Sequence, residues 1–354
     1  MDDPIAPLQA RIRQAAADKR PLCLRGGGTK DFYGGALSGE RLDSTACRGI
    51  VSYEPTELVI TARAGTSLEE IEAALHEKGQ MLPFEPPHFG PAATLGGCIA
   101  SGLSGPRRPY AGAARDFVLG VRLIDGKGES LRFGGEVMKN VAGYDVSRLI
   151  AGSLGTLALL TEVSLKVLPA PATETTLRLE RTETEAIAAM NEWAGKPLPV
   201  SGTAFRDGEL CVRLSGARSA VEAAARKLGG RPMDPPAAAE YWSNIREHAD
   251  PFFSGDMPLW RLSIKSTTRA LDFPGSQLVE WGGALRWLKS SGDPQAIREI
   301  ATRAGGHATL FRANDKSAGA FQPLSPALMR LHRNLKHALD PAGIFNRGRL
   351  YPDL

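Results

Sequence analysis

The chain has 354 residues, 42% hydrophobic and 23% charged, with a formal net charge of +4. That is the composition of an ordinary globular protein, long enough for two domains and a large core. The charge is small and no Lys/Arg run carries interleaved aromatics, which argues against a nucleic-acid partner. No apolar stretch is long enough to span a bilayer, and the acidic start Met1-Asp2-Asp3 lacks the basic and apolar regions of a secretory signal. Cys23, Cys47, Cys98 and Cys211 are isolated, with no C-x-x-C pair and no histidine at ligand spacing. Neither zinc nor an iron–sulfur cluster is expected on this chain, and the cysteines read as small buried hydrophobes in a reducing compartment.

Ile5, Leu8 and Ile12 recur at helical spacing and predict a first amphipathic helix. A short apolar run from Pro21 then enters Arg25-Gly26-Gly27-Gly28-Thr29-Lys30. Consecutive glycines let backbone N–H groups share one concave side and meet a pyrophosphate at van der Waals distance, with Arg25 and Lys30 adding positive charge at the rim. A plain glycine turn between strands is the alternative. Two phosphate-binding consensus patterns fail here: Lys30 precedes Asp31 where a P-loop needs Ser or Thr, and Asp31 stands where the dinucleotide G-x-G-x-x-G needs glycine.

Residues 58–64 alternate as a strand, and Ser67-Leu-Glu-Glu70 opens a helix with Leu68, Ile71 and Leu75 on one face and Gly79 at its close. The run from Pro91 through Thr94, Gly96, Gly97, Ser101, Gly102 and Ser104 to Gly105 is small throughout. It either packs backbone against backbone or admits a flat ligand, its hydroxyls donating to ligand oxygens. Residues 118–125 and 129–133 form a hairpin across Gly126-Lys-Gly128, and Val163, Leu165 and Val167 mark a half-buried strand.

Pro169 and Pro171 break the pattern, and all five tryptophans follow, from Trp193 to Trp287. A boundary there divides the chain into residues 1–171, a second unit at 172–312, and a tail at 313–354 that returns to the first. The second unit reads as strands and helices about the Asp207-Gly208 and Gly282-Gly283 turns: an α+β layer, one antiparallel sheet with its helices on a single face. A helix from Pro326 to Leu339 ends at Asp340-Pro-Ala-Gly343.

These segments, in this order, resemble the FAD-binding fold of the vanillyl-alcohol oxidase (PCMH-type) flavoproteins. Arg25-Gly-Gly-Gly-Thr29 is similar to the family's pyrophosphate loop. Thr94-Leu95-Gly96-Gly97 with Ser101-Gly102, continued by Arg115-Asp116-Phe-Val-Leu-Gly120, is similar to its second flavin-contacting segment. Lys139-Asn-Val-Ala-Gly-Tyr-Asp145 with Gly152-Ser-Leu-Gly155-Thr156 resembles the third, and Leu339-Asp-Pro-Ala-Gly-Ile-Phe-Asn346 the closing motif. The resemblance implies an α+β fold, two α+β subdomains with an inserted cap of antiparallel sheet and helices. It also implies FAD contacts at Arg25 to Lys30, Thr94, Leu95, Gly96, Gly97, Ser101, Gly102, Arg115, Asp116, Gly155, Thr156, Leu159 and Asn346.

Within that family the chain resembles the E subunits of bacterial glycolate oxidase (dehydrogenase) complexes. That likeness implies oxidation of glycolate, a 2-hydroxy acid, to glyoxylate by an assembly with a flavoprotein D subunit and an iron–sulfur F subunit. It further implies a cytoplasmic chain whose contact with the inner membrane is made through its complex. Two departures bear on chemistry. Thr29 and Lys30 stand where some members attach FAD to histidine, so noncovalent FAD is expected. The Glu-His-Gly and His-x-Gly-Asp-Gly-Asn patterns of D-type hydroxy-acid dehydrogenases are absent, so a noncatalytic flavin-carrying or assembly subunit stands beside the catalytic reading, as does a standalone FAD-linked dehydrogenase.

Hydroxy-acid oxidation needs a proton acceptor and a cation for the carboxylate. Alternation sets Arg261, Ser263 and Lys265 on one strand face, with a solvated face the preferred plain reading. His88 and His307 are candidate bases, with loop and surface roles as their alternatives, and no catalytic residue is assigned. Trp242 and Trp281 are candidate partner-docking residues, or else ordinary core tryptophans.

Overall fold

The computed structural model describes residues 4–135 and 145–354, so residues 139–144 of the third predicted cofactor segment lie outside the described residues. The first helix, Ile5–Ala17, buries Leu8, Ile12 and Ala15. It packs on a parallel pair of strands, Leu22–Arg25 and Glu40–Asp43, in the register Leu22 to Glu40. The tail completes this layer, because Phe345 bridges Leu22 in parallel and joins Ile344, Leu22, Leu42 and Ile12 in one apolar cluster.

Next to it stands a five-stranded antiparallel sheet in the order Ile50–Glu54, Val59–Arg63, Leu159–Lys166, Val118–Ile124, Ser130–Gly134. The predicted helix runs over Leu68–His76, with the Ser67 hydroxyl accepting the Glu70 N–H at 3.1 Å. The second glycine-rich run departs from its open reading by forming a helix, Leu95–Ser101, capped by Thr94 and ended by Gly102 at φ 63°. Glycine is a poor helix former, yet tertiary packing requires it. A Cβ at Gly96 would lie 2.8 Å from the Ala64 Cβ, so the helix rests directly on the neighbouring backbone.

From Thr173 to Arg312 the chain builds an eight-stranded sheet, every pairing antiparallel. Its order is Arg231–Pro232, Thr173–Glu180, Glu209–Gly216, Val200–Arg206, Ser276–Glu280, Leu285–Lys289, Leu259–Ser263, His307–Arg312. Helices Glu183–Ala194, Arg218–Leu228 and Pro294–Arg303 cover one face through Ile187, Met190, Val221, Ala224, Ile297 and Ala301. The single-face expectation is corrected by helix Pro235–Glu247, which lies on the other face with Trp242 against Ala204 and Cys211. The strands are apolar on both faces, Leu210 and Val212 turned one way and Cys211 the other, so each face needs cover. Tyr33, Leu103 and Leu154 of the first unit cover the rest of that second face, packing with Leu285, Trp287 and Phe311.

Trp242 and Trp281 are core residues and not surface docking points. Both are buried, and their indole N–H groups donate to the Thr176 hydroxyl at 2.8 Å and the Gly105 carbonyl at 3.1 Å. Charge also bridges the two units. Half-buried Glu85 pairs with Arg107 at 3.2 Å and with Arg213 of the large sheet at 2.8 Å, and those guanidiniums hold its carboxyl below the usual range against the opposing pull of burial. The Glu247 carboxylate accepts the N–H groups of His88 and Phe89 at 3.0 and 2.8 Å. Among the described residues no helix is long and apolar enough to cross a membrane.

Candidate functional site

The strand Leu22–Arg25 runs into the triple glycine at the junction of both small layers, and the chain there borders a cleft of about 810 Å³ measured to its open mouth. Arg25, Gly26, Gly27, Gly28, Thr29 and Lys30 form one wall, Thr94, Gly96, Gly97 and Ser101 a second, and Gly155, Leu159 and Asn346 a third. Thirteen of the residues expected from sequence therefore meet at one place, although they are spread over more than 300 positions.

The glycine loop has the character of an anion cradle. The N–H groups of Gly26, Gly27 and Gly28 donate to no protein acceptor among the described residues, and Gly28 takes φ 76°, the left-handed turn that aims successive N–H groups to one side. The loop lies against residues 92–94 so closely that a Cβ on Gly27 would fall 1.5 Å from the Ala92 carbonyl oxygen. The buried Ser153 hydroxyl, which also lines the cleft, has no hydrogen-bond partner among the described residues. Unsatisfied donors facing a cleft fit a phosphate-bearing ligand with further polar groups along its length.

The rim charge is arranged differently from the sequence expectation. The Arg25 Nε donates to Asp31 at 2.6 Å, and that bond holds the guanidinium firmly charged. Its charge is thus matched within the loop. Lys30 turns to the His88 carbonyl at 3.2 Å and lies 5.6 Å over the Phe89 ring, and burial lowers its ammonium pKa.

Five expected residues lie away from the cleft lining. Leu95 belongs to the core beside Ala93 and Cys98. Gly102 ends its helix where a Cβ would meet Gly152 at 3.0 Å. Thr156 is buried, its hydroxyl donating to the Ser153 carbonyl at 2.8 Å. Arg115 is exposed and lies 3.8 Å from Asp116, while Asp116 accepts the Ala113 N–H at 2.9 Å. Ser44 and Arg349, which sequence reading passed over, line the cleft as well, beside Ser153 and Leu154 of the third predicted segment. Arg349 is buried and binds the carbonyls of Asp31, Gly35 and Tyr33, which wraps the loop after the glycines around the tail. A lone arginine near a C-terminus carries no motif that marks this role.

Of the candidate bases, His307 is exposed, and the His88 Nε2 lies 3.2 Å from a Glu72 carboxylate oxygen. The stacked guanidinium of Arg261 sits 5.1 Å from the Trp281 ring. Among the described residues no group of three or more His, Cys, Asp or Glu side chains is placed to hold a metal ion.

Two antiparallel sheets, a glycine cradle and a cleft closed by the tail define an FAD-binding oxidoreductase of the PCMH type, and a family model described as FAD binding domain matches residues 5–134. The fold is shared with alkyldihydroxyacetonephosphate synthase at a TM-score of 0.66, over 96% of this chain and 74% of that one, at 15% identity. Among characterised sequences, glycolate oxidase subunit GlcE of Escherichia coli (strain K12) is 53% identical over 347 residues, covering 98% of this chain and 97% of the relative. The chain belongs to the family of that subunit. Glycolate oxidase subunit GlcD of Bacillus subtilis (strain 168) is 33% identical over 172 residues, 48% of this chain and 36% of its own length. D-lactate dehydrogenase of Archaeoglobus fulgidus is 33% identical over 198 residues, 55% and 44% of the two chains. The cofactor of this chain is FAD.

Proposed function

We propose that the chain is the FAD-binding subunit of a heteromeric glycolate oxidase (dehydrogenase) that converts glycolate to glyoxylate and passes the electrons to an iron–sulfur partner. The observation that carries this reading is likeness along almost the whole of both chains to a protein named as a glycolate oxidase subunit. In this reading residues 1–171 and 313–354 hold the flavin, and residues 172–312 form the cap that meets a flavoprotein D subunit and an iron–sulfur F subunit. FAD is held noncovalently, its pyrophosphate on the Gly26 to Gly28 N–H groups and its remaining polar atoms toward Thr94, Ser101, Ser153 and Asn346. When bound, it supplies the two-electron acceptor for a 2-hydroxy acid.

A second reading is favoured by one specific observation. The histidine patterns of the D-type hydroxy-acid dehydrogenases do not occur in this sequence, so the chain carries flavin and stabilises its partners without turning over substrate itself. Anaerobic addition of glycolate to the purified, flavin-loaded chain separates the two. Bleaching of its flavin supports the catalytic reading, and bleaching only after the D and F partners are added supports the carrier reading. No glycolate-dependent dye reduction by the co-expressed assembly would refute both.

A further inference from the structure

The loop that follows the glycine cradle is held between two cations. Every carbonyl from Asp31 to Gly35 accepts from one of them, in strict alternation. Arg349 donates to the carbonyls of Asp31, Tyr33 and Gly35, and the Lys316 ammonium donates to those of Phe32 and, at 3.2 Å, Gly34. The third N–H of that ammonium goes to the Phe311 carbonyl at 3.1 Å, in the last strand of the large sheet, so all three of its donors are spent. Lys316 thereby ties the edge of the large sheet to a loop of the first unit 282 to 284 positions away.

The held loop is continuous with the cradle. The Asp31 N–H donates to the Gly28 carbonyl at 3.1 Å and the Tyr33 N–H to the Lys30 carbonyl at 3.0 Å, and the Asp31 carboxylate takes Arg25. The loop has little room to settle elsewhere: Gly34 sits at φ 92°, and a Cβ on Gly35 would fall 2.2 Å from the Gly348 carbonyl oxygen. Holding the Phe32 and Gly34 carbonyls therefore fixes the direction in which the Gly26 to Gly28 N–H groups point.

Lys316 is half-buried, and among the described residues its bonds go to carbonyls and to no carboxylate. Burial, with the positive charges of Arg349 from the tail and Arg312 from the strand, pushes its ammonium down to about 8. The neighbouring Asp315 turns its carboxylate to the Ser317 N–H and hydroxyl, and burial keeps the Tyr33 phenol of the loop neutral.

We propose that Lys316 is a positioning residue for the FAD pyrophosphate: its carbonyl bonds lock the cradle to the large sheet, and the cradle binds FAD tightly only while the ammonium keeps its proton. Lys316 is not part of the cleft lining and acts through the loop. An amine without that proton offers two donors and no charge to three carbonyls, so one carbonyl is left without a donor and the loop relaxes. The proton favours the FAD-bound state, so affinity is complete below the ammonium's value in the flavin-free chain and falls as pH rises through it. The proposal depends on FAD as the cofactor and not on the identity of the substrate.

The test is fluorescence titration of the whole flavin-free chain with FAD between pH 7 and 9. Wild type should lose affinity at least about threefold across that range. Lys316→Met should bind FAD at least about tenfold more weakly at pH 7, with no further loss by pH 9. Lys316→Arg, charged throughout, should recover part of the affinity and hold it level over the range. Wild-type affinity in a folded Lys316→Met, a pH dependence that persists in Lys316→Arg, or a level profile in wild type overturns the proposal. If neither variant folds, the wild-type profile decides alone: a loss centred near pH 8 supports the proposal and a level profile overturns it.

Discussion

Asn346 and Leu24 stand 322 positions apart in the chain, and the Leu24 N–H donates to the Asn346 side-chain oxygen at 2.7 Å. The amide nitrogen of the same side chain donates to the Leu154 carbonyl at 2.7 Å. One buried residue thereby fixes the strand that feeds the glycine loop, the tail and the third wall of the cleft to one another. Asn346 sits at φ 40°, a conformation asparagine accepts more readily than most residues.

Asn346→Ala should therefore destabilise the chain by about 2 kcal/mol or more, because it leaves a buried N–H and a buried carbonyl unpaired. The urea unfolding midpoint is the measurement, with flavin content alongside. A midpoint equal to that of wild type would show that the three segments are held by their apolar contacts alone.

Gly27→Asp should yield protein without flavin. A Cβ there meets the Ala92 carbonyl oxygen at 1.5 Å, so the loop has to move, and a carboxylate would oppose a pyrophosphate at the cradle. Flavin absorbance per protein in the soluble fraction reads the effect. A normal ratio would mean that the glycine run is a turn and nothing more.

Glu280 predicts a pH dependence of stability. Its carboxyl is raised to about 7 by burial, opposed by the Trp287 hydrogen bond and by Arg261, with Glu85 adding to the rise. The folded state then binds more protons than the unfolded state between the ordinary glutamate value and about 7, so stability falls as pH rises through that window. The contribution is on the order of 3 kcal/mol, present in full at the acid end. Thermal unfolding of wild type and Glu280→Gln in carboxylate-free buffer, from about pH 4.5 to 7.5, should show the two converging at one end and diverging at the other. Parallel profiles would place the titration elsewhere.

Acid precipitation of the native holoprotein should release all its flavin to the supernatant, since Thr29 and Lys30 follow the glycine loop and neither forms the link that histidine makes in other members. Yellow colour retained in a washed pellet would identify a covalent bond.

Local patterns determined much of this protein before any contact was known. The spacing of Ile5, Leu8 and Ile12 sets a helix, Ser67 starts another, and the glycines before Thr29 mark the cradle, because each depends on backbone geometry within a few residues. Even the cleft was largely legible, since most of its walls are short small-residue runs. What sequence could not decide was how individual polar side chains spend their charge. Arg25 and Arg261 look equally free in the chain, yet Asp31 matches the first at 2.6 Å, while the second lies over the Trp281 ring with no carboxylate at ion-pair distance among the described residues. Nor could it place Arg349 or helix Pro235–Glu247, whose partners lie far along the chain. A side chain's pairing and burial are properties of which distant segments fold against it, and only the tertiary structure brings those segments together.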